Sequence, residues 1–156
     1  KRNGTTTLFA ALCTLTGHVI STCMPRHRHQ EWIRFLNLIN REVPKGLDVR
    51  LIYDNYATHT HEQVTRWFRR HPRFYIHFTP TSTSWLNMVK CFFRDLADKR
   101  LRRGVFRSVP DVITAIDECI FHHNDNPKPF IWTRKASDIL ATVTRARRIL
   151  ENAPSA

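Results

Sequence analysis

Asp54 is the carboxylate whose setting most invites chemistry. It follows the alternating run Leu47, Val49, Leu51 and the pair Ile52-Tyr53, so it stands at the end of a short buried strand, just ahead of a loop. That is where α/β sheets present ligand and metal groups. Taken alone, Asp54-Asn55 reads more readily as a turn pair with no chemistry. The histidines His27/His29 and His59/His61 come in pairs, and the cysteines Cys13, Cys23, Cys91 and Cys119 are scattered. Their spacings fit no usual structural zinc pattern. With no C-x-x-C pair and no sign of an oxidising compartment, buried free thiols are the expectation. His59 lies close enough in sequence to Asp54 to touch a phosphate or support a metal site, although a local loop or cap role is the simpler reading.

A second group could hold phosphate. Arg94, Lys99, Arg100, Arg102, Arg103 and Arg107 fall within one short stretch that also carries Asp95 and Asp98. Such a run is either a solvated helix end or a set of phosphate contacts, which give affinity without sequence information. The whole chain leans the same way. Its 156 residues carry 25 Lys and Arg against 13 Asp and Glu, a net charge of +12. A field of that sign attracts polyanions, nucleic acid first and an anionic membrane surface second. No apolar run approaches the roughly 18 residues of a membrane span, and no signal peptide opens the chain. A soluble, cytoplasmic protein is expected. The first residue is Lys1 and the methionines are Met24 and Met88, so the chain reads as part of something longer.

The elements that must position these groups follow from periodicity. Residues 5–13 and 18–24 are rich in β-formers and flank Thr16-Gly17, which predicts a hairpin ended by Pro25. Trp32, Phe35, Leu36 and Ile39 recur at helical spacing over 29–42, before Pro44 and Gly46. A strand over 47–53 leads to Asp54. Thr60 and Gln63 match a capping box for a helix running to about residue 70, and 74–78 is a further strand. Residues 79–84 read as a loop. Ser84 can then cap a helix from Trp85, whose expected apolar stripe is Trp85, Met88, Val89, Phe92 and Leu96. Ser108, with Asp111 three residues on, caps another helix whose apolar face is Val109, Val112, Ile113, Ile116 and Ile120. Residues 124–129 read as a loop and 136–151 as a last helix. Trp85 and Trp132 read as core or loop anchors. The order predicts one mixed α/β domain with helices packed on a sheet.

Several segments together resemble the DDE catalytic domain of mariner-superfamily transposases of bacterial insertion sequences. They are GTTTLFAAL, MPRHRHQEWIRFL, LIYDNYATHTH, HPRFYIHFTPTSTSWLN, FFRDLADKRLRRGVFRSV and HNDNPKPFIWT, in the family's order and spacing over nearly the whole chain. The resemblance implies an RNase H-like fold, a mixed sheet flanked by helices. It also implies DNA strand cleavage and transfer by two Mg²⁺ (or Mn²⁺) ions held on three acids. Two ions roughly 3.5–4 Å apart stabilise the entering and leaving oxygens of an in-line displacement. Being hard, they take carboxylate oxygens.

Carried over by position, Asp54 matches the second acid and would be a metal ligand. The third acid stands three residues past the Asn of the T-P-T-S-x-S-W-L-N segment, and Asn87 puts that place at Lys90. Lysine there removes a ligand and adds a positive charge. Two unit charges 4 Å apart interact by about 4 kcal/mol near a protein surface, and a divalent ion feels about twice that. Asp95 and Asp98 lie roughly 7.5 and 12 Å further along the helix and cannot substitute. The family's first acid lies on a strand upstream of GTTTLFAAL, central to the sheet and lacking from these residues. Residues 1–156 are thus expected to form a partial catalytic domain with two unpaired strand edges.

Three readings remain open: an inactive DDE enzyme, a non-catalytic DNA-binding or assembly protein derived from one, and an unselected remnant. The expected partners are transposon-end and target DNA, with a homodimer as one expected assembly, in the bacterial cytoplasm near the nucleoid.

Overall fold

Thr16-Gly17 lets two β-rich runs fold back on each other, because Gly17 takes φ +77°, a left-handed conformation that side chains disfavour. The result is an antiparallel hairpin of β1 (Thr7–Leu12) and β2 (Val19–Met24), with Phe9 opposite Thr22 and Leu12 opposite Val19. The computed structural model describes residues 4–53, 61–78, 94, 104–129 and 144. Side chains alternate across the hairpin, and both faces are used. Phe9, Ala11, Ile20 and Met24 join one core, while Leu8, Ala10, Leu12 and Cys23 join another.

The first core is built by α1 (His29–Glu42). Trp32, Phe35, Leu36 and Ile39 form its buried stripe, at 7%, 1%, 0% and 2% exposure, as the 3.6-residue period requires. Burying such side chains is worth about 1.5–3 kcal/mol each. β3 (Val49–Tyr53), α2 (Glu62–Arg70) and β4 (Phe74–Phe78) follow as a crossover unit whose two strands pair in parallel, Val49 opposite Phe74 and Tyr53 opposite Phe78. Val49 and Tyr53 from β3, Val64 and Trp67 from α2 and Phe74 from β4 complete the core with Phe9. Trp67 Nε1 donates to Asn37 Oδ1 at 2.8 Å, which fixes α2 against α1.

The second core lies on the other face of the hairpin. α3 (Val109–Asp125) sets Ile116 and Ile120 against Val19, with Val112 beside them. Its start is a capping box: the Asp111 N–H donates to Ser108 Oγ, and the Ser108 N–H donates back to Asp111 Oδ2.

The predicted element order holds over the described residues, giving a mixed α/β fold with three helices. It is compatible with an RNase H-like fold, and the described strands form two small sheets, β1-β2 and β3-β4. Four local expectations need correction. β3 begins at Val49, because the Leu47 N–H closes a turn onto the Pro44 carbonyl at 3.1 Å. α2 is capped by His61, whose Nδ1 accepts from the Gln63 N–H at 3.2 Å, and not by the predicted Thr60. Asn124 belongs to α3, not to a loop, because its side chain is held by β2. Cys13 is exposed, since it lies past the end of β1 at the hairpin turn; Cys23 and Cys119 are half-buried, and all three are free. The predicted loop over 79–84, the helix from Trp85, the helix over 136–151, Cys91, Trp85 and Trp132 lie outside the described residues.

Candidate functional site

Parallel pairing brings the C-terminal ends of β3 and β4 together, and this is the end at which open α/β sheets bind ligands. Tyr53 is the last residue of β3, so Asp54 follows directly from it. Tyr53 is 8% exposed and wedged edge-on against Trp32 and Phe78, with ring centroids 5.3 Å away in each case. Burial pushes its phenol up to about 12, so it is neutral at ordinary pH. An apolar, uncharged floor therefore lies under the strand end.

Two helices start around this end. α2 is capped by His61, and His61 stacks on His29 at the start of α1 with centroids 3.7 Å apart and planes 2° from parallel. The N-termini of α1 and α2 are thereby neighbours, and both carry the positive end of a helix dipole. Helix dipoles so placed favour negative over positive charge, and at the start of α1 the Glu31 carboxylate already takes up that role.

Glu31, in the first turn of α1, escaped sequence reasoning. Its carboxylate is 2% exposed and held by a fork from Arg28, with Nη2 donating to Oε1 at 2.8 Å and Nε to Oε2 at 3.2 Å. Those bonds hold its carboxyl down at about 2. The spacing Arg28/Glu31 was the available signal, since residues three apart meet on a helix. Being committed to Arg28, Glu31 is not a spare metal ligand.

Asp54, Lys90, Lys99, Arg100, Arg102 and Arg103 lie outside the described residues, as does His59. Arg94 is helical and exposed. Arg107 is exposed just ahead of α3, and its backbone N–H donates to Asp111 Oδ2 at 3.1 Å. Of the six basic residues, Arg94 and Arg107 are the two that the structure describes. No group of three His, Cys, Asp or Glu converges as a metal site among the described residues. His27 packs edge-on against Phe9, with centroids 5.0 Å apart. None of the described helices is long and apolar enough to cross a membrane.

Comparison with known proteins adds the remaining finding. A family model described as DDE superfamily endonuclease matches residues 1–113, which include β1 to β4, Asp54 and position 90. A search of curated proteins finds no match.

Proposed function

This chain belongs to the DDE superfamily endonucleases, and we propose that it is the catalytic domain of a mariner-superfamily insertion-sequence transposase whose metal site has lost an acid. The family carries a transposase-like nuclease function with DNA as its substrate. The observation that carries the reading is the match over residues 1–113, within which Asp54 directly follows the buried end of β3.

The family chemistry needs hard oxygen ligands around divalent ions, which would activate the attacking oxygen and stabilise the leaving one. Asp54 offers one carboxylate. Lys90, where the third acid belongs, offers an ammonium that cannot ligate and repels a cation. Glu31 is tied to Arg28. The donors present do not fit a two-ion site. In this reading the first acid would come from a strand outside these residues, seated between β1 and β3. Supporting it, the described strands form two separate sheets, and α1 packs against residues of both.

DNA engagement does not depend on those acids. Arg94, Lys99, Arg100, Arg102, Arg103 and Arg107 would contact phosphates beside the strand end, in the cytoplasm and near the nucleoid. The net charge of +12 favours retention of DNA binding in the absence of cleavage. The test is DNA affinity as a function of salt. The wild-type chain is expected to bind duplex DNA with a steep negative slope, and Lys90→Glu to leave that binding largely unchanged. Replacing Arg100, Arg102 and Arg103 together by Ala is expected to flatten the slope by about 2–3, near one unit per phosphate contact. A slope unaffected by the triple substitution would remove this stretch from the DNA interface.

A further inference from the structure

Among the described residues, the outer edge of β2 is open along part of its length. The Cys13 N–H donates to the His18 carbonyl, so alternation turns the backbone groups of Val19, Ser21 and Cys23 away from β1. Asn124 of α3 occupies the first of these places as a neighbouring strand would. The Val19 N–H donates to its Oδ1 at 2.9 Å, and its Nδ2 donates to the Val19 carbonyl at 2.8 Å. Beyond Val19, no hydrogen bond among the described residues reaches the outward groups of Ser21 or Cys23. β2 reads VISTCM and has none of the charges or prolines that usually guard an exposed edge.

The Val19–Ser21 part of this edge lines a groove of about 280 Å³ between α1 and α3, and Cys23 continues the edge beyond it. Ile20 and Ser21 line it from β2, Leu38 and Glu42 from α1, and Asp117 and Phe121 from α3. Phe121 is 65% exposed, an apolar side chain with little to cover it. Glu42 has only a 3.7 Å contact with Arg41, and Asp117 makes no ion pair among the described residues. In a chain of net charge +12, the lining of this groove carries two carboxylates, Glu42 and Asp117, and no lysine or arginine, with His18 at its end.

We propose that the groove docks an extended, basic peptide segment of a partner protein, which adds to β2 as a further strand. The unpaired edge groups of Ser21 and Cys23 supply main-chain hydrogen bonds, the source of affinity in strand addition. Glu42 and Asp117 select lysine or arginine, while Leu38 and Phe121 receive apolar side chains between them. A second copy of this chain fits poorly, because its own β2 edge is flanked by the same two helices. Nucleic acid is disfavoured by the two carboxylates.

The experiment uses the full chain and a fluorescent peptide of alternating lysine and valine, read by anisotropy, with amide hydrogen exchange on the complex. Saturable binding is expected, with protection of the Ser21 and Cys23 amides. Ser21→Pro removes an N–H that the hairpin does not use, and an edge position tolerates proline. It is expected to weaken binding at least about tenfold, as is the charge reversal Asp117→Lys on the surface of α3. If Ser21→Pro fails to fold, Asp117→Lys and a backbone N-methylated peptide carry the test. The proposal is overturned if the peptide does not bind at millimolar concentration, or if a glutamate-valine peptide binds as tightly. It is also overturned by peptide binding without protection of those amides, or by displacement with single-stranded DNA. Protection that rises with protein concentration alone would assign the edge to a second copy instead.

Discussion

Arg73 holds the α1–β3 connection together, and replacing it measures how much that connection contributes. Its guanidinium spans several carbonyls at once. Nη2 donates to the Asn40 carbonyl at 2.9 Å, to Asn40 Oδ1 at 2.8 Å and to the Val43 carbonyl at 3.2 Å. Nη1 donates to the carbonyls of Pro44 at 2.6 Å and Leu47 at 3.0 Å, and Nε to Asn40 Oδ1 at 3.1 Å. Asn40 lies in the last turn of α1, where carbonyls lack helical partners and a cation meets the negative end of the dipole. The bonds to Pro44 and Leu47 are exposed, so water replaces them at little cost. Those to Asn40 and Val43 are partly buried and account for most of the effect. Arg73→Met keeps the aliphatic stem but strips the donors, and is expected to cost about 2–4 kcal/mol. At roughly 2–4 °C per kcal/mol for a chain of this size, Tm should fall by about 5–15 °C. Arg73→Lys should recover only part of that, since an ammonium lacks the planar fork. Urea denaturation followed by tryptophan fluorescence reads both variants. A Met variant within about 0.5 kcal/mol of wild type, with an unchanged denaturant slope, would refute the role given to Arg73.

Other consequences are equally open to test. The folded state holds the Glu31 carboxyl at about 2, against an ordinary value of 4.5, chiefly through the Arg28 bonds. The stability it contributes is complete above about pH 4.5 and is lost as pH falls towards 2. Glu31→Gln should therefore flatten the acid limb of a stability–pH curve, and an unaltered limb would mean the pair is not formed. A Cβ at Gly17 would meet both a positive φ and the Lys128 carbonyl. Gly17→Ala is thus expected to cost more than about 1 kcal/mol in chemical denaturation, with the 126–129 segment losing its seat on the hairpin turn. Ser108→Ala removes the α3 cap and should cost about 1 kcal/mol; no change in Tm would mean that Asp111 alone suffices.

What the sequence made legible was local and periodic. The stripe from Trp32 to Ile39 set the bounds of α1, and Ser108 with Asp111 marked the start of α3, because both depend on neighbours a turn apart. β4 was readable as FYIHF between Pro72 and the polar run after it. Contacts between distant segments left no such trace. Nothing in local spacing announces that Arg73 reaches back to Asn40, that Asn124 closes the β2 edge at Val19, or that His29 stacks on His61. The His61 cap escaped for a related reason: Thr60 is the better capping residue by type, but the imidazole of His61 makes the bond. For the site, the strand that ends at Tyr53 was legible, and Asp54, next in sequence, drew attention because a buried strand followed by Asp-Asn is a sequence pattern. Its partners depend on motif position, not on periodicity.

That dependence makes Lys90 the centre of the account, and nicking of supercoiled DNA tests it most directly. Folded protein that binds DNA should be incubated with supercoiled plasmid and Mg²⁺ or Mn²⁺, at concentrations up to the solubility limit. The expected result is no metal-dependent nicking above a buffer control, because in the proposed site one carboxylate and an ammonium would not hold two cations. Robust metal-dependent cleavage by the wild-type chain, abolished by Asp54→Ala, would contradict it.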